Sequence, residues 1–136
     1  MLREFADKYY LNNNYNCTET LIHAANEYYK LVLDENAMKL MGGFGGGIQT
    51  GSLCGAFLGA VGTLSIKYIK TKAHESDDIK PAVTLLTERF KKEFDGKILC
   101  CDIKEICFTE ENRCRETVLR ACDVLEKVIA EYEVQQ

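Results

Sequence analysis

Seven cysteines are the residues of this 136-residue chain that are best suited to do chemistry. Four of them lie at or beside the predicted start of a helix: Cys17, Cys54, Cys100 and Cys114. A helix start has unpaired N–H groups and the positive end of the helix dipole, and both favour the thiolate over the thiol. Four such starts would form an electropositive thiolate site if they met in space. The sequence alone does not place them together.

Two kinds of chemistry suit such a set of thiolates. They can exchange disulfides, with one thiolate attacking and another resolving the mixed disulfide. They can also bind zinc or an iron–sulfur cluster, since both suit four-cysteine sites. In either case we expect Cys17 and Cys54 to lie close together, with Cα atoms within about 7 Å for a disulfide. The residues do not identify the redox partner or the small-molecule substrate.

The predicted reactive thiolate is Cys54, because a glycine-rich loop precedes it. Residues 41–66 carry no charge and contain nine of the ten glycines. Residues 42–51, called the glycine loop below, cannot form an ordinary helix or strand. Ser52 is predicted to cap the buried helix that follows, which places Cys54 in its first turn. Apolar neighbours would raise the pKa of Cys54, but we expect the helix start and the loop to lower that pKa further and to make this thiol the most reactive.

Three consecutive glycines of the loop form a second candidate site. Successive backbone N–H groups in a turn can form a nest that holds an anion. We therefore predict that Gly45, Gly46 and Gly47 donate hydrogen bonds to the thiolate or to a bound anionic ligand.

Other motifs for catalysis or ligand binding are missing. The chain has no CxxC pair and no CxxCH sequence, and GGFGGG lacks the preceding strand and the acidic residue of a dinucleotide site. His23 and His74 stand alone, so we interpret both as structural or surface residues. Cys101, Cys107 and Cys122 are interpreted as buried or incidental thiols.

The hydrophobic periodicity predicts an all-α fold. Apolar residues recur at intervals of three and four in most segments, and none alternates at period two for long enough to form a sheet. Asn16 with Glu19 forms a capping box, and Asp34, Asp77 or Asp78, and Asn112 are predicted caps of later helices. We expect one domain, residues 1–136, as a compact bundle of six or seven helices around the buried glycine-rich one.

Composition excludes several function classes. A net charge of −4 without a basic run argues against nucleic acid as the main partner. The apolar part of the uncharged segment, residues 53–64, is shorter than the roughly 20 residues that a membrane span needs. The first ten residues do not resemble a signal peptide, so the cytoplasm is the expected compartment. Seven cysteines there point to thiol redox chemistry or metal binding rather than to structural disulfides.

The sequence resembles the redox-active four-cysteine family labelled C_GCAxxG_C_C. The resemblance extends over about residues 5–130 and is most specific in the segment GSLCGAFLGA, residues 51–60. It implies a small, helical, cytoplasmic redox protein whose working cysteines are Cys17, Cys54, Cys100 and Cys114. The chain departs from the family label in two ways. It reads Cys-Gly-Ala instead of Gly-Cys-Ala, and Cys101 directly follows Cys100, which leaves the third cysteine ambiguous.

A different class of function stays open at this point. The glycine loop and the buried helix could bind a small anion while the cysteines only fill the core. The stripe of Gly51, Gly55 and Gly59 could also pack against another helix, for example in a homo-oligomer.

Overall fold

The structure is a computed structural model that describes residues 1–135. Over these residues it contains seven α-helices and no β-strand. The helices are α1 (Leu2–Asn12), α2 (Cys17–Tyr29), α3 (Glu35–Lys39), α4 (Gly55–Tyr68), α5 (Ile79–Glu93), α6 (Cys100–Cys107) and α7 (Arg115–Val134). The prediction of an all-α bundle is confirmed. None of the helices in the described residues has the length and apolar character needed to cross a membrane.

Two helices, α4 and α7, organise the core. α7 packs against α1, α2, α4, α5 and α6, while α4 packs mainly against α2, α5 and α7. Aromatic rings join α4 to α5, with the centroids of Phe57 and Phe90 5.1 Å apart. The sequence predicts a single central helix, α4, but α7 has more helical neighbours, so both helices share that position.

Glycines in α4 allow α2 to approach closely. A Cβ atom at Gly59 would lie 3.2 Å from the Cβ atom of Leu21, and one at Gly55 would overlap the sulfur of Cys17. Across the same contact, the Thr18 hydroxyl donates a 2.8 Å hydrogen bond to the carbonyl oxygen of Gly55. The starts of α2 and α4 are therefore in direct contact.

This contact changes the interpretation of the glycine stripe. Gly55 and Gly59 are buried against α2 of the same chain, and a Cβ atom at Gly51 would face Cys101 at 3.5 Å. Since α2 covers Gly55 and Gly59, these two glycines are not available to a second subunit, whereas Gly51 is only half-buried. A homo-oligomer stays a prediction.

The glycine loop contains a left-handed turn. Four consecutive residues have positive φ: Gly46 (61°), Gly47 (64°), Ile48 (59°) and Gln49 (61°). Positive φ is unusual for a β-branched residue such as Ile48, because its Cβ substituents crowd the backbone. The chain therefore maintains backbone strain beside the predicted cysteine site.

The same turn moves the start of α4. The N–H group of Ser52 donates a 2.9 Å hydrogen bond to the carbonyl oxygen of Gly47 and closes the turn. α4 then begins at Gly55, with Cys54 as its N-cap residue. The predicted Ser52 cap is wrong because Ser52 belongs to the turn.

An ion pair fixes α1 to the start of α7. Arg115 donates two hydrogen bonds to the carboxylate of Asp7, of 2.6 and 2.8 Å. Hydrogen bonding from Arg115 is the main cause that lowers the pKa of Asp7 below its ordinary value of 3.8. The pair holds Cys114, the residue before Arg115, next to α1.

We expect Gly47→Ala to destabilise the protein more than Gly46→Ala. Both residues have positive φ, which costs an L-residue about 1–2 kcal/mol. A Cβ atom at Gly47 would also meet the backbone of Ser52 and the Cβ of Cys100 at 2.5–2.7 Å, whereas Gly46 has only ordinary contacts. Overpacking should add about 1–3 kcal/mol at Gly47. Urea unfolding measures both variants, and equal losses would show that the loop yields at Gly47.

We expect Asp7→Asn to reduce stability near neutral pH and to have less effect in acid. The folded-state pKa of Asp7 is depressed, so its contribution is present above the unfolded pKa and is lost as the pH falls through the folded pKa. Thermal unfolding at pH 6 and at about pH 3 measures the difference from wild type. Asp77→Asn is the control, because Asp77 is exposed and has no ion pair within residues 1–135. A difference that is constant with pH would contradict the ion-pair explanation.

Candidate functional site

The four cysteines of the predicted set lie at four helix starts. Cys17 and Cys100 are the first residues of α2 and α6. Cys54 and Cys114 are the N-cap residues of α4 and α7. Both helices begin two residues later than predicted, because Cys54 and Cys114 take the N-cap positions expected of Ser52 and Asn112, and each cysteine still lies at the positive end of a helix.

Local signals explain two of these starts. The capping box of α2 is present: the Asn16 side chain accepts a 2.9 Å hydrogen bond from the Glu19 N–H group, and Glu19 accepts one from the Asn16 N–H group. The predicted cap of α7 at Asn112 is wrong. Its N–H group instead donates to the Thr109 hydroxyl at 3.0 Å, inside a turn that ends just before Cys114.

A short backbone bridge brings Cys54 next to Cys100. The bridge joins Leu53 and Leu99, which directly precede the two cysteines. The N–H groups of Cys54 and Cys100 each donate a hydrogen bond across it, 2.9 and 2.6 Å long. Both cysteines therefore lie on one side of the bridge, as diagonal neighbours.

Cys17 joins this pair from α2. Its sulfur lies against Gly55, the residue that follows Cys54. It is also near enough to raise the pKa of each of the other three thiols, although burial is the main cause in each case. The structure thus brings Cys17, Cys54, Cys100 and Cys114 together, which the sequence could not establish. A disulfide between Cys17 and Cys54 stays a prediction.

At Cys54, burial has a larger effect on the thiol pKa than the helix start has. Only 4% of this residue is exposed, and desolvation raises its pKa to about 12. The backbone N–H groups of Phe57 and Ala56 act in the opposite direction but do not balance the desolvation. The prediction that Cys54 has a lowered pKa is therefore wrong, and its burial argues against its being the most reactive thiol.

An open cleft gives access to the other side of the cluster. Its volume is about 430 Å³, and both Cys17 and Cys114 line it. Both residues are half-buried, whereas Cys54 and Cys100 are buried behind them. The remaining lining residues are Tyr10, Asn14, Tyr15, Asn16, Gly45, Gly46, Gln49, Lys104, Phe108 and Arg113. Cys17 and Cys114 are thus the thiols of the set that a ligand in the cleft can reach.

Three residues of the cleft were missed by sequence reasoning. The Tyr10 hydroxyl accepts a 3.1 Å hydrogen bond from the N–H group of Cys114. Lys104 and Arg113 place cations near the thiols, where each opposes the rise in the pKa of Cys114. The sequence pattern placed Tyr10 on an apolar helix face and gave no sign of its contact with Cys114. For Arg113, its position directly before Cys114 could have indicated a role beside this thiol.

The other three cysteines lie outside this cluster or at its edge. Cys101 is exposed, and its thiol faces its neighbour Asp102. Cys107 is buried and accepts a 3.2 Å hydrogen bond from Arg120. Cys122 is fully buried in the core. Cys100, whose thiol interacts with Cys17, is therefore the better candidate than Cys101 for the third site cysteine.

The two histidines take no part in the cleft. His23 stacks on Tyr15 with ring centroids 4.2 Å apart, and burial lowers its pKa. His74 lies in an exposed turn.

The side chains as placed do not fit a metal centre. Within residues 1–135, no group of three or more His, Cys, Asp or Glu side chains is arranged to hold a metal ion. The predicted zinc or iron–sulfur site therefore has no geometric support, and the mechanism below uses no metal.

The predicted anion nest at Gly45, Gly46 and Gly47 is not favoured either. A nest combines right- and left-handed residues, whereas Gly46 and Gly47 are both left-handed and Gly45 is extended. Gly45 instead lies against the Asn16 side chain, where a Cβ atom would overlap it.

We expect Cys17 to be alkylated in the folded protein and Cys54 only after unfolding. Cys17 lines the cleft, while Cys54 is buried and its pKa is raised to about 12. Iodoacetamide labelling with peptide mass mapping measures each thiol. Cys101 should react as an exposed control and Cys122 should stay protected. Labelling of Cys54 before Cys17 would contradict the burial argument.

Comparison with known proteins supports a redox role for the chain. The family model described as "Putative redox-active protein (C_GCAxxG_C_C)" matches residues 15–128, a segment that includes all seven cysteines and the glycine loop. No curated protein and no solved structure matches the chain. The chain belongs to the redox-active C_GCAxxG_C_C family.

Proposed function

We propose that this protein exchanges disulfides through Cys17 and Cys114 at the cleft. The observation that supports this is the position of the two thiols: both line the cleft, and both lie at helix starts that meet. The family match supports redox activity in general terms. The assignment of that activity to Cys17 and Cys114 is ours.

Cys17 is the attacking thiol in this proposal. It is half-buried, so a substrate disulfide in the cleft can reach it. As the first residue of α2, it lies at a helix start, whose backbone N–H groups have no partner within the helix. Cys54, which the sequence favoured for this role, is shielded from the cleft by burial.

The reaction has two exchange steps. The Cys17 thiolate attacks one sulfur of the substrate disulfide, a mixed disulfide forms, and the other half leaves as a thiolate. The Cys114 thiolate then attacks the Cys17 sulfur, which releases the second half and forms a Cys17–Cys114 disulfide. The protein loses two electrons and the substrate gains them. The two protons from the cysteines pass through solvent to the two released thiolates.

The environment of Cys114 suits the second step. Its N–H group is held by the Tyr10 hydroxyl, and the ion pair of Arg115 with Asp7 fixes the next residue. Lys104 and Arg113 partly offset the burial that raises the pKa of Cys114. Cys54 and Cys100 also interact with Cys17, but both are buried, so the half-buried Cys114 is the resolving thiol that we assign.

Single-turnover reduction of 2-hydroxyethyl disulfide by the reduced protein tests this proposal. We expect Cys17→Ser to lower the rate to that of an ordinary exposed thiol such as Cys101, since it removes the attacking sulfur of the cleft. Cys101→Ser is the matched control and should keep the wild-type rate, because Cys101 is exposed but does not line the cleft.

The products distinguish the resolving thiol. Mass mapping of wild type after one turnover should show Cys17 joined to Cys114, and Cys114→Ser should accumulate the mixed disulfide. A Cys17–Cys54 disulfide would overturn the assignment of Cys114. Full activity of Cys17→Ser would overturn Cys17 as the attacking thiol, and no reaction of the wild type would favour a module in which the cysteines only fill the core.

A further inference from the structure

The cleft beside Cys17 carries positive charge only. Lys104 and Arg113 line it, and no Asp or Glu does. Four helix starts meet at its base, and each contributes the positive end of a dipole. This local charge is opposite in sign to the protein as a whole, whose net charge is −4.

Neither cation is neutralised by a partner. In residues 1–135, every other arginine forms an ion pair: Arg3 with Asp123, Arg89 with Glu131, Arg115 with Asp7 and Arg120 with Glu93. Within the same described part of the chain, Arg113 and Lys104 form none. The Lys104 ammonium lies 5.4 Å from the ring centroid of Phe108, another lining residue. Two unpaired cations beside two accessible thiols would attract anionic groups of a ligand.

We propose that the cleft selects small disulfides that carry carboxylates close to the S–S bond. This inference rests on the proposed disulfide exchange and adds the substrate class. The volume of about 430 Å³ is that of a small-molecule site. Lys104 and Arg113 bind the carboxylates, which places a substrate sulfur before Cys17.

The charged groups do not change the chemistry of the exchange. Cys17 bonds to one substrate sulfur, the S–S bond breaks, and the other half leaves as a thiolate with its carboxylate. The substrate disulfide is the oxidant, and the two protein thiols supply both electrons. The cations act on binding and on approach rate, since a cleft lined by one sign of charge concentrates ligands of the opposite sign.

Three disulfides of similar length and different charge test the inference. The probes are 3,3′-dithiodipropionate with two negative charges, 2-hydroxyethyl disulfide with none, and cystamine with two positive charges. Each single-turnover rate is divided by the rate of the same probe with dithiothreitol, which removes differences in intrinsic reactivity. We expect the normalised rate of the dianion to exceed that of the dication by about tenfold at low salt.

A double variant and a matched control identify the source of the preference. The double variant Lys104→Gln/Arg113→Gln should remove the preference for the dianion over the dication. Lys30→Gln with Lys127→Gln changes the net charge equally at exposed positions outside the cleft, and it should keep the preference. Salt gives a test without any variant: the wild-type preference should fall strongly between about 0.01 and 1 M, where the Debye length shrinks from about 30 to 3 Å.

The outcomes separate this inference from the proposed function. Equal normalised rates for all three probes, or a preference for cystamine, would overturn the selectivity and leave the exchange intact. A preference that survives in the Lys104/Arg113 variant would overturn the assignment of these two residues. No reaction with any probe would overturn the proposed function itself.

Discussion

The close approach of α2 and α4 is the contact on which the site depends. Gly55 has no side chain, so the Cys17 sulfur and the Thr18 hydroxyl can lie directly against its backbone. Any larger residue at this position would force the two helix starts apart. The glycine-rich segment thus lets α4 begin directly against α2. The thiols at these two helix starts are brought together as a result.

The meeting of helix starts sets up two opposing effects on each thiol. Helix dipoles and N–H groups favour thiolate, whereas the packing that brings the helices together removes water and favours thiol. At Cys54 the second effect dominates, and burial raises its pKa to about 12. At the cleft, Cys17 and Cys114 keep contact with solvent. A division of roles between accessible and buried thiols follows from this difference in depth.

The cleft concentrates positive charge on an acidic protein. The two arginines of α7 are tied to carboxylates, Arg115 to Asp7 and Arg120 to Glu93. Lys104 and Arg113 form no ion pair within residues 1–135, and both line the cleft where the thiols open to solvent. The electrostatic character of the site therefore depends on which cations are paired more than on how many the chain contains.

The sequence by itself determined the features that depend on neighbours within one helical turn. The helical class, the capping box of Asn16 and Glu19, and the placement of four cysteines at helix starts all follow from local spacing. The tertiary structure decided the rest. The contact between Cys17 and Gly55 joins residues far apart in the chain, and the left-handed turn that moved the start of α4 is closed by Ser52. The reactivity expected of Cys54 could not be predicted, because burial depends on side chains that only folding brings around the sulfur.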